Sequence, residues 1–527
     1  MAKALSFQPL RDLGLNGLNT QDNPTSLEPS WLTLADNIVL RESGRISFRK
    51  GFKQKVLANT FGTASAPLKI GAMGEADNGA TVVAAIGTKM YTVDFTTPDV
   101  PWTAAYTVSG GTDSDWQMTS FKGELYCTQA GHIPLEYDSG TWVDLPSSSG
   151  YTAPAGITTF NPSCSSAYYG RLWVGGIAED KNSLRYSDTL NAHKWNSGAA
   201  GYIDLQTVWG TDEIVAIAPF YGKLVVFGKH NIAIYNGPTD PSTMSLDEVI
   251  EGIGCVSRDS VVAVGDDLMF MSDTGLRSLF RTTEKDKLPL TDLSLNVKDT
   301  IIRNISQNSN IKSCYIESEG VLVVSFVDIE INYIFDIKHK THNQAPRVTT
   351  WSFTNDSYPS AMAYTESQGF LTGQHAGSIA TYEDYYDRDY ISGGTYTDNP
   401  YTGKFKTVWI NLGDGVVAAL LKKMQAVISG GPGTQVGIKW YKDFDVTPST
   451  TLGFVLNPSQ SGTSYLWGGA TSLYGAAKYA PVYGLREYGI SLTGSAKHLQ
   501  LEMSAETAGY VASLQDLTLL YKQGKIR

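Results

Sequence analysis

The feature that most limits what this chain can fold into is a unit that returns seven times between residues 80 and 384. Each copy has a polar turn with Gly or Asp, a short apolar strand, a second turn, and a second strand ending in an aromatic residue and often Asp. The segments "ATVVAAIGTKMYTVD" (80–94), "YGKLVVFGKHNIAIYNG" (221–237) and "SEGVLVVSFVDIEINYIFD" (318–336) show it plainly. The apolar residues that mark the first strand are Val83, Leu125, Leu172, Leu224, Leu268, Leu322 and Leu371, at intervals of 42, 47, 52, 44, 54 and 49 residues. Repeats of roughly 40–50 residues are typical of four-stranded propeller blades. One such sheet cannot bury both of its own faces, whereas sheets set around an axis cover one another and leave only short edges. The spacing therefore predicts an all-β chain with a β-propeller of six or seven blades over residues 65–390. The competing reading, unrelated hairpins in two or three sandwiches, gives no reason for the period.

The period is interrupted twice. Residues 283–312 carry a helix signal, with Leu295, Val297, Ile301, Ile302 and Ile305 as an apolar face and Thr291 or Asp292 as a cap. Residues 381–403 are polar, turn-rich and rich in Tyr, and read as a boundary or an exposed loop. Beyond 403, segments such as "KFKTVWINLG", "TQVGIKWYKDF" and "KHLQLEMSAE" read as strands of similar length. They predict a C-terminal β-sandwich over 391–527. Residues 416–428 fit a helix or a strand, and periodicity does not decide. Residues 1–64 are left as an extended N-terminal leader with a hairpin.

Composition matters mostly for what it excludes. A formal net charge of −11 argues against a general grip on nucleic acid, which needs an excess of Lys and Arg. Cys127, Cys164, Cys255 and Cys314 lie far apart with no C-x-x-C pair, so buried thiols in a reducing cytoplasm are expected. No window approaches the roughly 18 apolar residues of a spanning helix. The segment "MAKALSFQPLRDLGLNG" lacks a signal-peptide core. Phosphate-loop, dinucleotide, serine-elbow and H-E-x-x-H signatures are absent. His339 and His342, beside Asp336, have the spacing of a metal pair but sit in the polar turn "DIKHKTHNQAP". Glu383, Asp384, Asp387 and Asp389 lack the glycine-turned spacing of a calcium loop and read as a charged loop. "YDSGTW" and "SDTGLRSLF" echo the sialidase turn S-x-D-x-G-x-x-W without its leading Ser, and turn chemistry accounts for them. Aromatic strand residues read as packing between blades. No catalytic residue, metal ligand or cofactor is expected, and the chain is not expected to be an enzyme.

The leader is a basic island in this acidic chain. In "ADNIVLRESGRISFRKGF" (35–52) two alternating runs flank a turn at Glu42, Ser43 and Gly44. Arg41, Arg45, Arg49, Lys50 and Lys53 are candidates for contacting a neighbouring subunit or an acidic adaptor surface, the other reading being a solvated hairpin. With the preceding "GLNGLNTQDNP" (14–24), the leader resembles the start of the tail nozzle, or tail tubular, proteins of short-tailed phages. That family is related in role to packaged-DNA stabilisation proteins. The likeness rests on Gly17, Leu18, Asn19, Asp22 and Pro24, then Ala35, Asp36 and Asn37, then Gly44, Arg45, Ile46, Arg49 and Gly51. A leader, a propeller and a late β-sandwich match the family's plan over most of the chain.

The resemblance implies a structural virion protein. It would form a ring, usually of six copies, below the portal and adaptor. The ring would extend the tail tube, retain packaged DNA and let it pass at ejection, with residues 391–527 as the tail-tube or platform domain. The implied partners are further copies of the chain, adaptor and portal proteins, tail fibres or spikes, and double-stranded DNA passing without sequence readout. No membrane anchor is implied, and the location is the phage tail after synthesis in the host cytoplasm. A lumen short of Lys and Arg suits DNA that must slide, because it avoids the affinity gained by counterion release. The alternative is a glycan-binding or glycan-cleaving propeller of a virion.

Overall fold

A computed structural model describes residues 5–41, 45–56, 69–79, 81–96, 104–110, 114–237, 239–279, 292–308, 310–341, 344–353, 357–365, 367–383, 385–392, 395–412, 417–431, 433–456, 484–507 and 509–524. The seven marker residues all fall on second strands of successive sheets, from Val83 on Thr81–Ile86 to Leu371 on Gly369–Gln374. Six of the sheets contribute four propeller strands each. One, made of Val262–Val264, Asp267–Ser272 and Gly275–Ser278, has three among the described residues. The first strands of the sheets line the axis, and Pro359–Thr365 of the last lies against Ile70–Ala76 of the first. The ring is thereby closed. The core sits between blades, as the pattern of alternating apolar residues requires. Ile70, Val82 and Ile86 pack on Ala361, Leu371 and Ile379, and the Phe227 and Phe270 rings meet at 5.0 Å. All four cysteines are buried and unpaired, and burial pushes every one of the four thiols up from its ordinary pKa.

The last blade has only three strands from its own stretch of sequence. Its fourth is Phe52–Val56, from the leader, running antiparallel to Ile379–Tyr382. The N-terminal region thus locks the ring by long-range pairing.

One end of the axial channel is crossed by charged side chains. Arg258 reaches from the three-residue turn Arg258–Ser260 to the carbonyls of Ser163 (2.8 Å) and Asp115 (2.6 Å), ahead of two other blades. Lys312, on the inner strand Ile311–Ile316, bonds Asp115 and, at 2.6 Å, Asp259.

The C-terminal strands form a β-sandwich. One sheet holds Thr402–Thr407, His498–Glu506, Gln435–Lys442 and Thr450–Val455; the other holds Ala419–Gly430, Ser513–Gln523 and Gly484–Ser491. The first is continuous with the propeller: Pro346–Trp351 of a blade pairs with leader strands Gly17–Leu18 and Trp31–Asp36, and the latter with Thr402–Thr407. Leader strands Ile38–Leu40, Ile46–Phe48 and Ser6–Pro9 belong to the second sheet. Among the described residues the leader therefore has no sheet of its own, and position 390 falls inside the strand Asp387–Ser392.

Three local expectations are revised. Of the stretch 283–312, residues 283–291 lie outside the described residues; the helix signal is met by a 3-10 turn at Leu295–Val297 leading into Lys298–Gln307, and a strand begins at Ile311. Asp292 is not its cap but accepts bonds from the amide and hydroxyl of Ser294, while Thr291 lies outside the described residues. The ambiguous stretch 416–428 contributes the strand Ala419–Gly430. A bulge between Leu421 and Lys423 shifts its phase, so that buried Leu421 and Met424 stand three apart, which blurs the period of two. The region 381–403 is a hairpin, Asp387–Ser392 with Thr395–Asn399. Among the described residues no helix is long and apolar enough to cross a membrane.

Candidate functional site

The leader residues Asp36, Asn37, Arg49 and Gly51 converge where the last two blades meet the sandwich. The turn begins at Asn37, which holds a left-handed backbone (φ 55°) that Asn tolerates better than most residues. That conformation sends the chain from the strand Trp31–Asp36 of one sheet into Ile38–Leu40 of another. Asp36 accepts from the hydroxyls of Ser352 (2.7 Å) and Thr350 (3.2 Å), which follow or end the blade strand Pro346–Trp351. The Asn37 amide nitrogen donates to the Ser352 hydroxyl (2.9 Å) and to the Thr402 carbonyl of the sandwich (3.0 Å).

Arg49 completes this knot and is wholly buried. Its Nε donates to Asn37 Oδ1 at 2.8 Å, and Nη1 to the Lys50 carbonyl at 2.7 Å. Nη1 and Nη2 face the two oxygens of Asp387 at 3.3 and 3.4 Å, and Nη2 also reaches the Ser352 carbonyl at 3.4 Å. The guanidinium lies 4.1 Å from the centre of the Tyr401 ring, whose hydroxyl donates to the Arg49 carbonyl. Burial pulls the Arg49 pKa down, but Asp387 and the nearby phenols outweigh it and hold it above its ordinary value. Burial raises the pKa of Tyr401 and Tyr382, so both stay neutral. The site is one ion pair enclosed by neutral donors, acceptors and rings, the arrangement a buried charge requires.

The expectation that Arg49 contacts a neighbouring subunit is corrected. With no exposed surface it can reach only its own chain, where it ties leader, blade and sandwich together. Lys53 pairs with Glu383 at 3.4 Å, alongside Lys55 at 2.9 Å, and its side chain is 22% exposed. Lys50 and Arg41 flank Glu319 at 2.6 and 3.7 Å, each with its side chain 37% exposed. Arg45 is half-buried, and its Nε has no hydrogen-bond partner among the described residues. The acidic loop expected at 383–389 is corrected in the same way: Asp387 is the counterion of Arg49, Glu383 that of Lys53 and Lys55, and Asp389 accepts from Asn399 at 2.6 Å. Asp384, His342 and Gly44 lie outside the described residues. His339 bonds Asp336 at 2.9 Å, and no metal-holding cluster occurs among the described residues.

Sequence reasoning missed Ser352, Tyr382 and Tyr401. The one local signal was an arginine set among apolar residues in "ISFRKGF". Gly51 is required for a steric reason: a Cβ there would collide with the Tyr386 carbonyl oxygen, a backbone atom that cannot swing aside. Gly51→Ala is expected to lower stability by about 1–3 kcal/mol, the usual range for overpacking, measured as a drop in the denaturant midpoint.

No family model and no curated protein matches this chain. Among solved structures, the extracellular domain of BT4673 from B. thetaiotaomicron is 12% identical with a TM-score of 0.43, over 68% of this chain and 45% of that one, so the chain spans less than half of that protein's length. The β-propeller domain of Cps50 (Swd1) from Myceliophteria thermophila is 11% identical with a TM-score of 0.38, over 61% of this chain and 98% of that domain. The WD40 propeller domain of Doa1 is 12% identical with a TM-score of 0.35, over 63% and 98%. The propeller assignment rests on the sheet order itself.

Proposed function

We propose that this protein is a structural ring subunit of a phage tail, acting as the nozzle that extends the tube, retains packaged DNA and conducts it at ejection. The observation that carries the reading is that four of the leader residues resembling tail nozzle proteins build the knot. Asp36, Asn37, Arg49 and Gly51 make the contacts that join propeller to sandwich. A subunit that bears the load of confined DNA must hold its parts in fixed relation, and a shared sheet of 11 strands with a buried ion pair at the joint supplies that stiffness. Arg41 and Lys50, which flank Glu319 with side chains 37% exposed, are the leader cations we assign to contact with an acidic adaptor or neighbouring copy.

Electron microscopy of the purified full chain, alone and mixed with its portal and adaptor, tests this. Rings of six copies with a lumen wide enough for duplex DNA are expected. A protein that stays monomeric in the mixture and binds or cleaves surface polysaccharide would overturn the reading in favour of a glycan-directed propeller.

A further inference from the structure

Among the described residues, four large apolar side chains sit on left-handed backbone: Tyr169 (φ 46°), Leu190 (φ 54°), Tyr221 (φ 46°) and Phe444 (φ 69°). The first three share one surface. Tyr169 with Gly170, and Tyr221 with Gly222, are two-residue turns joining the first and second strands of the third and fourth blades. Leu190 lies against the first turn, its amide donating to the Gly170 carbonyl at 2.7 Å, and the Tyr169 hydroxyl approaches Gly222 of the second. Turns of this kind favour Asn-Gly or Asp-Gly, and the second blade places Lys122 before Gly123 at the matching position. Here tyrosines stand there instead, 46% and 62% exposed, with Leu190 56% exposed. Each ring is braced by the aromatic residue before it, Tyr168 at 4.4 Å and Phe220 at 4.8 Å. Strained backbone that turns fixed rings toward water works against folding and marks a contact surface.

We propose that this surface receives Arg41 and Lys50 of a second copy of the chain, and so forms the contact between neighbouring ring subunits. The proposal rests on the ring reading above and names the two faces that meet. Exposed Asp266, in the matching turn of the fifth blade, lies within electrostatic reach of the Tyr221 hydroxyl. Aromatic faces beside a carboxylate suit a guanidinium or an ammonium, which the rings attract and the carboxylate pairs. The leader offers both cations. Arg41 and Lys50 flank Glu319, in the turn between Ile316 and Val321 of the sixth blade. Because blades repeat around one axis, the turns joining first and second strands lie at the same end of the propeller. The tyrosines on the third and fourth blades and the leader cations on the sixth therefore share that end at different points around it. Two different, complementary faces on one molecule make a head-to-tail contact, the kind that closes into a ring.

Two variants of the full chain, each mixed with portal and adaptor, test this. The first carries Tyr169→Asn and Tyr221→Asn, which suit the left-handed turns and are expected to leave the melting temperature unchanged. The protein concentration at which rings form is expected to rise by about tenfold or more, because tyrosine and arginine anchors carry much of the binding at such contacts. The second variant carries Arg41→Cys and Tyr221→Cys. A short bis-maleimide is expected to join it into ladders of linked chains, while chains with either substitution alone stay unlinked. The four native cysteines are buried and do not compete. The ladder carries the test if the asparagine variant does not fold. Wild-type chains that form no ring would overturn the ring reading, and this contact with it. Wild-type rings together with equal assembly of the folded asparagine variant, or with no ladder from the cysteine variant, would overturn this contact alone and leave the patch to an adaptor or a glycan.

Discussion

Replacing Arg49 by methionine is expected to lower stability by about 3–5 kcal/mol, the cost of removing one member of a buried charge pair. The loss is large because several groups are stranded at once. Asp387 loses its counterion in a setting where its side chain is only 15% exposed, and Asn37 Oδ1 and the carbonyls of Lys50 and Ser352 lose a donor. Methionine also forfeits the stacking of the guanidinium on Tyr401. Asp387→Asn removes the charge but leaves Arg49 buried without a counterion. The double variant Arg49→Met with Asp387→Asn should therefore be less damaged than the sum of the singles, with a coupling of about 0.5–3 kcal/mol. Urea unfolding of the four proteins in the cycle measures this. A wild-type midpoint for Arg49→Met would show that the knot is not what joins propeller and sandwich.

The second large effect is expected on the propeller axis. Arg258→Met should cost about 3–5 kcal/mol, because Asp259 and Asp115 would then share Lys312 alone. The network also sets an acid limit. Burial by itself would raise the Asp259 pKa, but Arg258 and Lys312 more than offset it and hold it down to about 2. In the unfolded chain an aspartate titrates near about 3.9. The folded value is the lower one, so the unfolded state takes up the proton first. The stability contributed by Asp259 is complete above about pH 4 and drains away as the pH falls through about 2. Asp259→Asn is expected to be less stable at neutral pH and to lose less stability than wild type between about pH 4 and pH 2. Thermal unfolding across that range reads both effects, and parallel curves for the two proteins would refute the assignment.

Much of the architecture was legible in the sequence, and the reasons are local. Val83, Leu125, Leu172, Leu224, Leu268, Leu322 and Leu371 mark their blades because a strand buried on both faces must be apolar, whatever lies beside it. The strands beyond 403 bury chiefly one face, as in Gln435–Lys442, and were legible as strands of similar length separated by turns. Ala419–Gly430 was not, because a bulge at Lys422, seen only in its register against Ser513–Gln523, resets the alternation that identifies a strand. The leader hairpin was visible as Ile38–Leu40 and Ile46–Phe48, but not the destination of its arginines.

What the sequence by itself determined is the repeat, and with it a ring of sheets followed by a sandwich. Period-two burial and turn chemistry act between residues a few positions apart, and a reader of the chain sees both partners together. Only the tertiary structure decided what the leader does. Phe52–Val56 closes a blade built from residues more than 300 positions later, and Arg49 meets Asp387 across a separation of 338. A lone arginine carries no mark of which distant carboxylate will face it. Burial of its charge becomes affordable only once folding has brought Asp387, Asn37, Ser352 and Tyr401 around it.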